Sequence, residues 1–183
     1  MADWYNSKKA AQIAAYYAIR EGGAINVLKL VKLIYLSERA FLAKFDSSML
    51  NDKLVSMDNG PVNSITLNKI NGFVEDNGWS EFISDRENHL VSIANKSIKI
   101  DVLDELSRAE LKVLDTTWNE FGHMDQWQLV DFTHKNCPEW EDPHGSSSPI
   151  PYERLLKAIG KQNVNELQDR IMTDRRLVSA LRD

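Results

Sequence analysis

The sequence predicts a mainly α-helical single domain in which several helices surround one central buried helix, with a small antiparallel β element beside them. The first reason is residues 26 to 45, which place apolar side chains on most of the circumference of a helix. The second is that several further segments repeat apolar residues at helical spacing between stop signals. The third is the 183-residue length with 43% hydrophobic content, enough to bury a full core without disulfides or metals.

The central helix is predicted to begin at Asn26, an N-cap residue directly behind two glycines. Because its apolar arc is broad, we expect several neighbours to enclose it. Glu38 projects from the middle of that arc, where an unpaired carboxylate would be costly to desolvate. It therefore needs donors. These are an arginine or backbone N–H groups if Glu38 is structural, or a second converging polar group if it is a catalytic acid or base.

A narrower stripe on the same helix carries Lys29, Lys32 and Arg39. The glycine-containing turn before the helix raises the alternative of a DNA-reading helix-turn-helix. A recognition helix is exposed on its reading face, whereas this helix is apolar nearly all round, so the stripe is more typical of solvated charge. The net charge of −5 also argues against nucleic acid, which usually demands a basic face.

The segments before and after the central helix predict a helical hairpin and a minor sheet. Residues 7 to 21 are expected to form a helix that ends at two glycines and runs antiparallel to the central helix. Residues 53 to 57 are a short strand candidate. Residues 81 to 93 are predicted to form a small hairpin beside that strand.

Gly60, Pro61 and Val62 indicate a corner at which a helix begins. Apolar residues at helical spacing continue that helix to Asn77 and Gly78. The first turn of a helix has free N–H groups, so this corner is also a candidate to bind an anion or the Glu38 carboxylate.

The second half of the chain predicts four more helices. Ser107 and Glu110 form a capping box for the first, which ends at Gly122, and Asp125 begins the second. Residues 135 to 149 are rich in proline, serine and glycine and are expected to be a surface loop. Two helices follow, one beginning at Pro151 and a final one at 164 to 181, within a C-terminal segment (162 to 183) expected to dock on the body or on a partner.

Asp131, His134 and Cys137, with His144 beyond, raise the alternatives of a zinc site or a Cys-His nucleophile. A fourth zinc ligand is not defined, and a proline directly after the cysteine breaks the shared helical face. We therefore expect no metal and no cofactor. His134 is instead expected to lie at a helix end and to bond to the backbone.

Cys137 is the one cysteine of the chain, so an internal disulfide is excluded. The first residues lack the long apolar run of a signal peptide or a membrane span. Together these features predict a cytoplasmic protein that does not enter a membrane.

Several of these residues, taken in order, resemble the Panacea domain of SocA-like, phage-associated antitoxins. The segment LVKLIYL at 30 to 36 is followed by Glu38-Arg39, by Gly-Pro-Val some two dozen residues later, and then by Thr133-His134 and Trp140. We take as motif residues Lys32, Leu33, Tyr35, Glu38, Gly60, Pro61, Val62 and His134.

The resemblance implies a mainly helical, non-enzymatic antitoxin in the cytoplasm. Such a protein would neutralise a cognate protein toxin, encoded by an adjacent gene, by direct stoichiometric contact. Two alternatives stay open: an adaptor that delivers a toxin to a cytoplasmic protease, and a small hydrolase that uses Glu38 or the His134 and Cys137 region. Homo-oligomerisation and regulation of transcription are also left open.

The contact surface is expected among side chains that offer charge or exposure without an internal role. The loop from 136 to 149 and the C-terminal helix rank above the basic stripe, because the central helix should be enclosed. The candidate partner-binding residues are Lys29, Lys32, Arg39, Trp140, Arg175 and Arg176.

Overall fold

The computed structural model describes residues 2–181, which contain seven α-helices, five short strands and one turn of 3-10 helix at Ile100–Val102. The helices are α1 (Ser7–Arg20), α2 (Val27–Phe45), α3 (Ser64–Ile70), α4 (Arg108–Phe121), α5 (Gln126–Asn136), α6 (Tyr152–Ala158) and α7 (Val164–Ala180). The strands are β1 (Ala24–Asn26), β2 (Leu54–Met57), β3 (Gly60–Asn63), β4 (Leu90–Ser92) and β5 (Ser147–Pro149). The fold is mainly α with a small β element, as predicted.

Helix α2 is the centre of the fold. It begins where predicted, because the Asn26 side chain accepts hydrogen bonds from the backbone N–H groups of Leu28 (2.9 Å) and Lys29 (3.2 Å). Helices α1, α4, α5 and α6 and strands β1 and β3 all contact it. A helix that is apolar nearly all round requires such neighbours, so the prediction of an enclosed central helix is confirmed.

Helix α1 packs on α2 through small and aromatic side chains. Its alanines at 10, 11, 14, 15 and 18 are buried, which lets the two helices approach closely. The hydroxyl groups of Tyr17 and Ser37 form a hydrogen bond between them. After Arg20 the chain turns at Gly22 and Gly23, whose positive φ angles suit glycine, so the predicted helical hairpin is confirmed.

The strands form two antiparallel sheets rather than one. In the first, β1 pairs with β4, with Ile25 opposite Val91. In the second, the order is β3-β2-β5. The strand predicted at 53 to 57 is therefore confirmed, but the hairpin at 81 to 93 does not lie beside it. The chain at 81 to 93 does fold back on itself through a bridge between Ile83 and Ile93, and β4 takes the short strand before α2 as its partner.

The prediction that Gly60, Pro61 and Val62 begin a helix is wrong. They form β3, which pairs with β2 across a two-residue turn, with Met57 opposite Gly60 and Val55 opposite Val62. Helix α3 begins only at Ser64 and ends at Ile70, well before Asn77. The turn residues Asp58 and Asn59 carry the hairpin signal that decides this geometry.

Helices α4 and α5 begin at capping boxes. Ser107 and Glu110 make the reciprocal bonds expected for α4, which ends before Gly122 as predicted. Helix α5 begins at Asp125 as predicted, and Gln128 completes a second capping box there.

The segment at 135 to 149 is not only a surface loop. Cys137 and Glu139 are buried within it, and its last residues form β5, which pairs with β2. Helices α6 and α7 follow where predicted. In α7, Leu167 and Ile171 are buried, whereas Leu177 is 57% exposed. Residues 182 and 183 of the predicted C-terminal segment lie outside the described residues.

The buried apolar side chains of these elements form one cluster around α2. In the described part of the chain, no helix is both long enough and apolar enough to cross a membrane.

Candidate functional site

Lys32 brings three of the predicted motif segments together. Its side chain is fully buried, and Nζ donates a hydrogen bond of 2.9 Å to the carbonyl oxygen of Pro61. Gly60 lies against it with a φ of +97°, and a Cβ atom there would come within 3.1 Å of Nζ and 2.7 Å of Thr133 Oγ1. Only glycine fits this position, so the Gly-Pro motif serves close packing and not a helix start.

The Lys32 amine is held in an unfavourable environment for a cation. Burial lowers its pKa to about 7. Among the described residues no carboxylate forms an ion pair with it. Lys32 is thus a buried base with one acceptor, at the point where α2, β3 and α5 meet.

His134 lies beside this point, in the last turn of α5. Its ring stacks on Trp140, with 3.9 Å between ring centroids and 17° between ring planes. Trp140 Nε1 in turn donates to the Met57 carbonyl at 2.9 Å, and a backbone bond to Asp58 holds the histidine. The expectation of a helix-end histidine bonded to backbone is confirmed. Burial, and then the charge of Lys32, lower the His134 pKa.

A second buried group on α2 is organised around Glu139. Tyr35 Oη and Arg39 Nε both donate to Glu139 Oε1 at 2.8 Å, and the glutamate side chain is fully buried. Sequence reasoning missed Glu139, since a glutamate in a segment rich in proline and serine carries the signal of an exposed residue. It gives an internal partner to the motif residue Tyr35 and to Arg39 of the basic stripe, because both donate to one shared carboxylate.

Glu38 is held by backbone N–H groups, as expected from the sequence if its role is structural. Its carboxylate accepts from Met49 N at 3.0 Å, from Leu50 N at 2.9 Å and from the Ser48 hydroxyl. Burial raises its pKa, and these three bonds counter that rise. The donors come from the turn after α2 and not from the Gly60 corner, so that part of the prediction is wrong.

Asp52 is another buried carboxylate, one that the sequence analysis did not single out. It accepts from Ile65 N (2.8 Å), Thr66 N (3.0 Å) and Thr66 Oγ1 (2.6 Å), so it caps the start of α3. Burial raises its pKa to about 6. A capping residue twelve positions upstream of its helix has no local sequence signal.

The basic stripe is not solvated charge. Lys29 is buried and pairs with Glu21 Oε2 at 2.7 Å and with the Gly122 carbonyl at 2.8 Å. Lys32 is fully buried, and Arg39 is engaged with Glu139. Each residue of the stripe therefore has an internal role, and contact with a partner stays a prediction for them.

The two C-terminal arginines differ. Arg175 Nη2 donates to the Asp52 carbonyl at 2.9 Å, and its guanidinium lies 5.0 Å from the centroid of the Tyr152 ring and 5.4 Å from that of Trp4. It ties α7 to the body, contrary to the expectation that it lacks an internal role. Arg176 is exposed and remains available to a partner.

The proposed zinc or nucleophile residues do not converge. Asp131 pairs with Lys135 at 2.7 Å, and His144 is exposed. Cys137 is buried, and burial raises its thiol pKa to about 12, which suppresses the nucleophilic thiolate. Within residues 2–181, no three histidine, cysteine or acidic side chains are grouped as a metal site would need.

A pocket opens beside the Lys32 junction. Its volume is about 740 Å³, and it lies between the start of α2, the β2–β3 hairpin, the turn before β4 and the start of α5. Val31, Lys32 and Val62 of the motif segments contribute to its lining. We call this cavity the hairpin pocket.

No curated protein and no solved structure matches the chain. A family model described as "Antitoxin SocA-like, Panacea domain" does match it, over residues 30–141. The match covers more than half of the 183 residues and includes all the motif residues, from Lys32 to His134. The chain therefore belongs to the family of SocA-like antitoxins with a Panacea domain.

Proposed function

We propose that this protein is the antitoxin of a toxin–antitoxin system and that it neutralises a protein toxin, encoded by an adjacent gene, by direct stoichiometric binding in the cytoplasm. The observation that carries the proposal is the family match over residues 30–141. A family of antitoxins implies a toxin as the partner.

The internal roles of the buried polar residues support binding over chemistry. Glu38, Glu139 and Lys32 are fully buried and hydrogen-bonded to groups of the chain itself. A general acid or base has to reach a substrate proton, and a nucleophile has to reach a substrate atom. Such buried hydrogen-bonded groups instead fix the positions of the helices and strands whose outer faces form the protein surface. A protein that acts by binding needs this rigidity.

The test is co-expression with the adjacent gene, each protein under its own inducible promoter. Wild-type chain should restore growth until the toxin exceeds it, and the purified proteins should form a complex of fixed stoichiometry with the toxin mass unchanged. Leu33→Asp, which places a carboxylate in the core, is the control that should abolish rescue through loss of the fold.

Two outcomes would contradict the proposal. Rescue at far less than one antitoxin per toxin, with the toxin chemically altered, would indicate an enzyme. Rescue that disappears when a cytoplasmic protease is deleted, with the toxin degraded in its presence, would indicate an adaptor.

A further inference from the structure

We propose that the hairpin pocket is the surface that the toxin contacts, and that the toxin inserts an apolar side chain accompanied by an acidic one. This inference rests on the proposed function and adds to it the place of contact and the chemistry of the partner. It agrees in part with the expectation drawn from the sequence, because residues 145 to 147 of the loop at 136 to 149 line the pocket. It differs from that expectation in leaving out the C-terminal helix.

The floor of the pocket is apolar. Val27, Leu28 and Val31 of α2 line it together with Val62 and Leu67 from β3 and α3. A cavity of about 740 Å³ is large enough for one or two protein side chains, and an apolar floor favours the burial of an apolar group.

Trp127 stands at the rim as a large exposed apolar side chain. It is 59% exposed, and its backbone is fixed at the start of α5, where its N–H donates to Asp125 Oδ1 at 2.8 Å. Tryptophan is enriched among the residues that dominate protein–protein binding, because it buries a large area at little cost in conformational entropy. A tryptophan whose backbone is fixed beside an apolar cavity is the kind of anchor that such interfaces use.

The charges of the lining call for an acidic partner. Arg86 donates from Nε to the Asn88 carbonyl at 2.7 Å and from Nη1 to Asn71, both neutral acceptors, and among the described residues it forms no ion pair. Lys32 contributes to the lining, but its side chain is fully buried, so Arg86 and not Lys32 is the cation that a partner can contact. The acidic member of the lining is Asp58, which is engaged with the N–H of Gly145 at 2.9 Å.

At Arg86 the exposed charge therefore has the opposite sign to the net charge of the chain. The net charge of −5 would favour a basic toxin surface, whereas the exposed Arg86 guanidinium with its neutral acceptors favours a carboxylate at this point. Asp85 and Glu87 flank Arg86 along the chain, but they do not line the pocket.

The rival surface on α7 is less well equipped. A smaller cavity of about 470 Å³ lies there, and Arg175 in its lining is already bonded to the Asp52 carbonyl. Leu177 on the same helix is 57% exposed, nearly the same fraction as Trp127. Leu177 does not line that cavity, but its similar exposure makes it a matched probe of the exposed face of α7.

The experiment measures the affinity for the toxin, and rescue of growth, for four variants that change exposed side chains. Trp127→Ala should weaken binding at least about 30-fold, as expected for loss of an anchor. Arg86→Glu should weaken it about tenfold or more and should do so most at low salt. Leu177→Ala and the charge-matched control Arg108→Glu, at an exposed position of α4, should stay within about threefold of the wild type.

The outcomes separate the two proposals. If the wild type binds and rescues but Trp127→Ala and Arg86→Glu do so equally well, the pocket assignment is overturned and the antitoxin function stands. If the loss falls on Leu177→Ala instead, the interface lies on α7 and the pocket is again rejected. If the wild type neither binds nor rescues, both proposals fall. Thermal melts that match the wild type confirm that each variant is folded.

Discussion

The two halves of α2 each bury a charged side chain, and they treat it differently. In the C-terminal half, Glu38 accepts three hydrogen bonds from the turn that follows the helix, two of them from backbone N–H groups. In the N-terminal half, Lys32 donates one, to the Pro61 carbonyl, although an ammonium group carries three donors. Both side chains are fully buried.

The difference separates a structural role from a position beside a binding surface. The Glu38 carboxylate has its hydrogen bonds satisfied, and these bonds fix the turn after α2 to the helix. Lys32 is incompletely matched, and the hairpin pocket opens next to it. Incompletely compensated buried charge is costly, and proteins tend to retain it near functional surfaces.

The largest expected effect is the pH dependence at the Lys32 end. Because its pKa falls from 10.5 in the unfolded chain to about 7 in the folded one, the unfolded chain binds more protons between those values. The contribution of Lys32 to stability is thus present above the unfolded pKa and is lost as the pH falls to about 7. Relative to Lys32→Met, the wild type should gain about 3 kcal/mol in unfolding free energy between about pH 7 and pH 10.

Urea melts of the two proteins at several pH values measure that difference. All other titrating groups are the same in both proteins, so their contributions cancel in the difference between the wild type and Lys32→Met. A constant gap across the range would mean that Lys32 keeps an ordinary pKa and that the two halves of α2 do not differ.

At the Glu38 end, Glu38→Ala should lower the free energy of unfolding by about 1–3 kcal/mol, because Met49 and Leu50 lose the acceptor for their N–H groups. Glu38→Gln should cost less, since its amide oxygen can still accept. Glu120→Ala, at an exposed position of α4, is the matched control. Melts of the Glu38 variants that coincide with the wild type would show that the carboxylate is not a structural link.

The smallest effect concerns the close approach of Gly60 to Lys32 and Thr133. Gly60→Ala has to bear both a positive φ and a Cβ atom 2.7 Å from Thr133 Oγ1. Gly72→Ala bears a positive φ in open space, so it isolates the backbone term. We expect Gly60→Ala to be less stable than Gly72→Ala by about 1 kcal/mol or more. Equal unfolding free energies would indicate that Lys32 and Thr133 can move away from the added Cβ atom at little cost.

Element types and helix ends were predictable because they depend on neighbours along the chain. Asn26, Ser107 and Asp125 cap helices through atoms two or three residues away, so their residue types suffice to place the helix starts. Gly60 to Val62 is one exception, because a proline after a glycine suits a helix start as well as a hairpin strand, and the end of α3 at Ile70 is another. For Gly60 to Val62, pairing with β2 decides between helix and strand.

The sequence by itself determined a mainly helical fold around α2, the need of Glu38 for donors, and the order of motif residues that marks the family. Only the tertiary structure decided which groups meet: Lys32 with Pro61, Arg39 with Glu139, and Arg175 with Asp52. These partners lie 29, 100 and 123 positions apart, so no local pattern encodes them. Periodicity records which side of a helix is buried, whereas the partner of a buried charge depends on how distant segments pack.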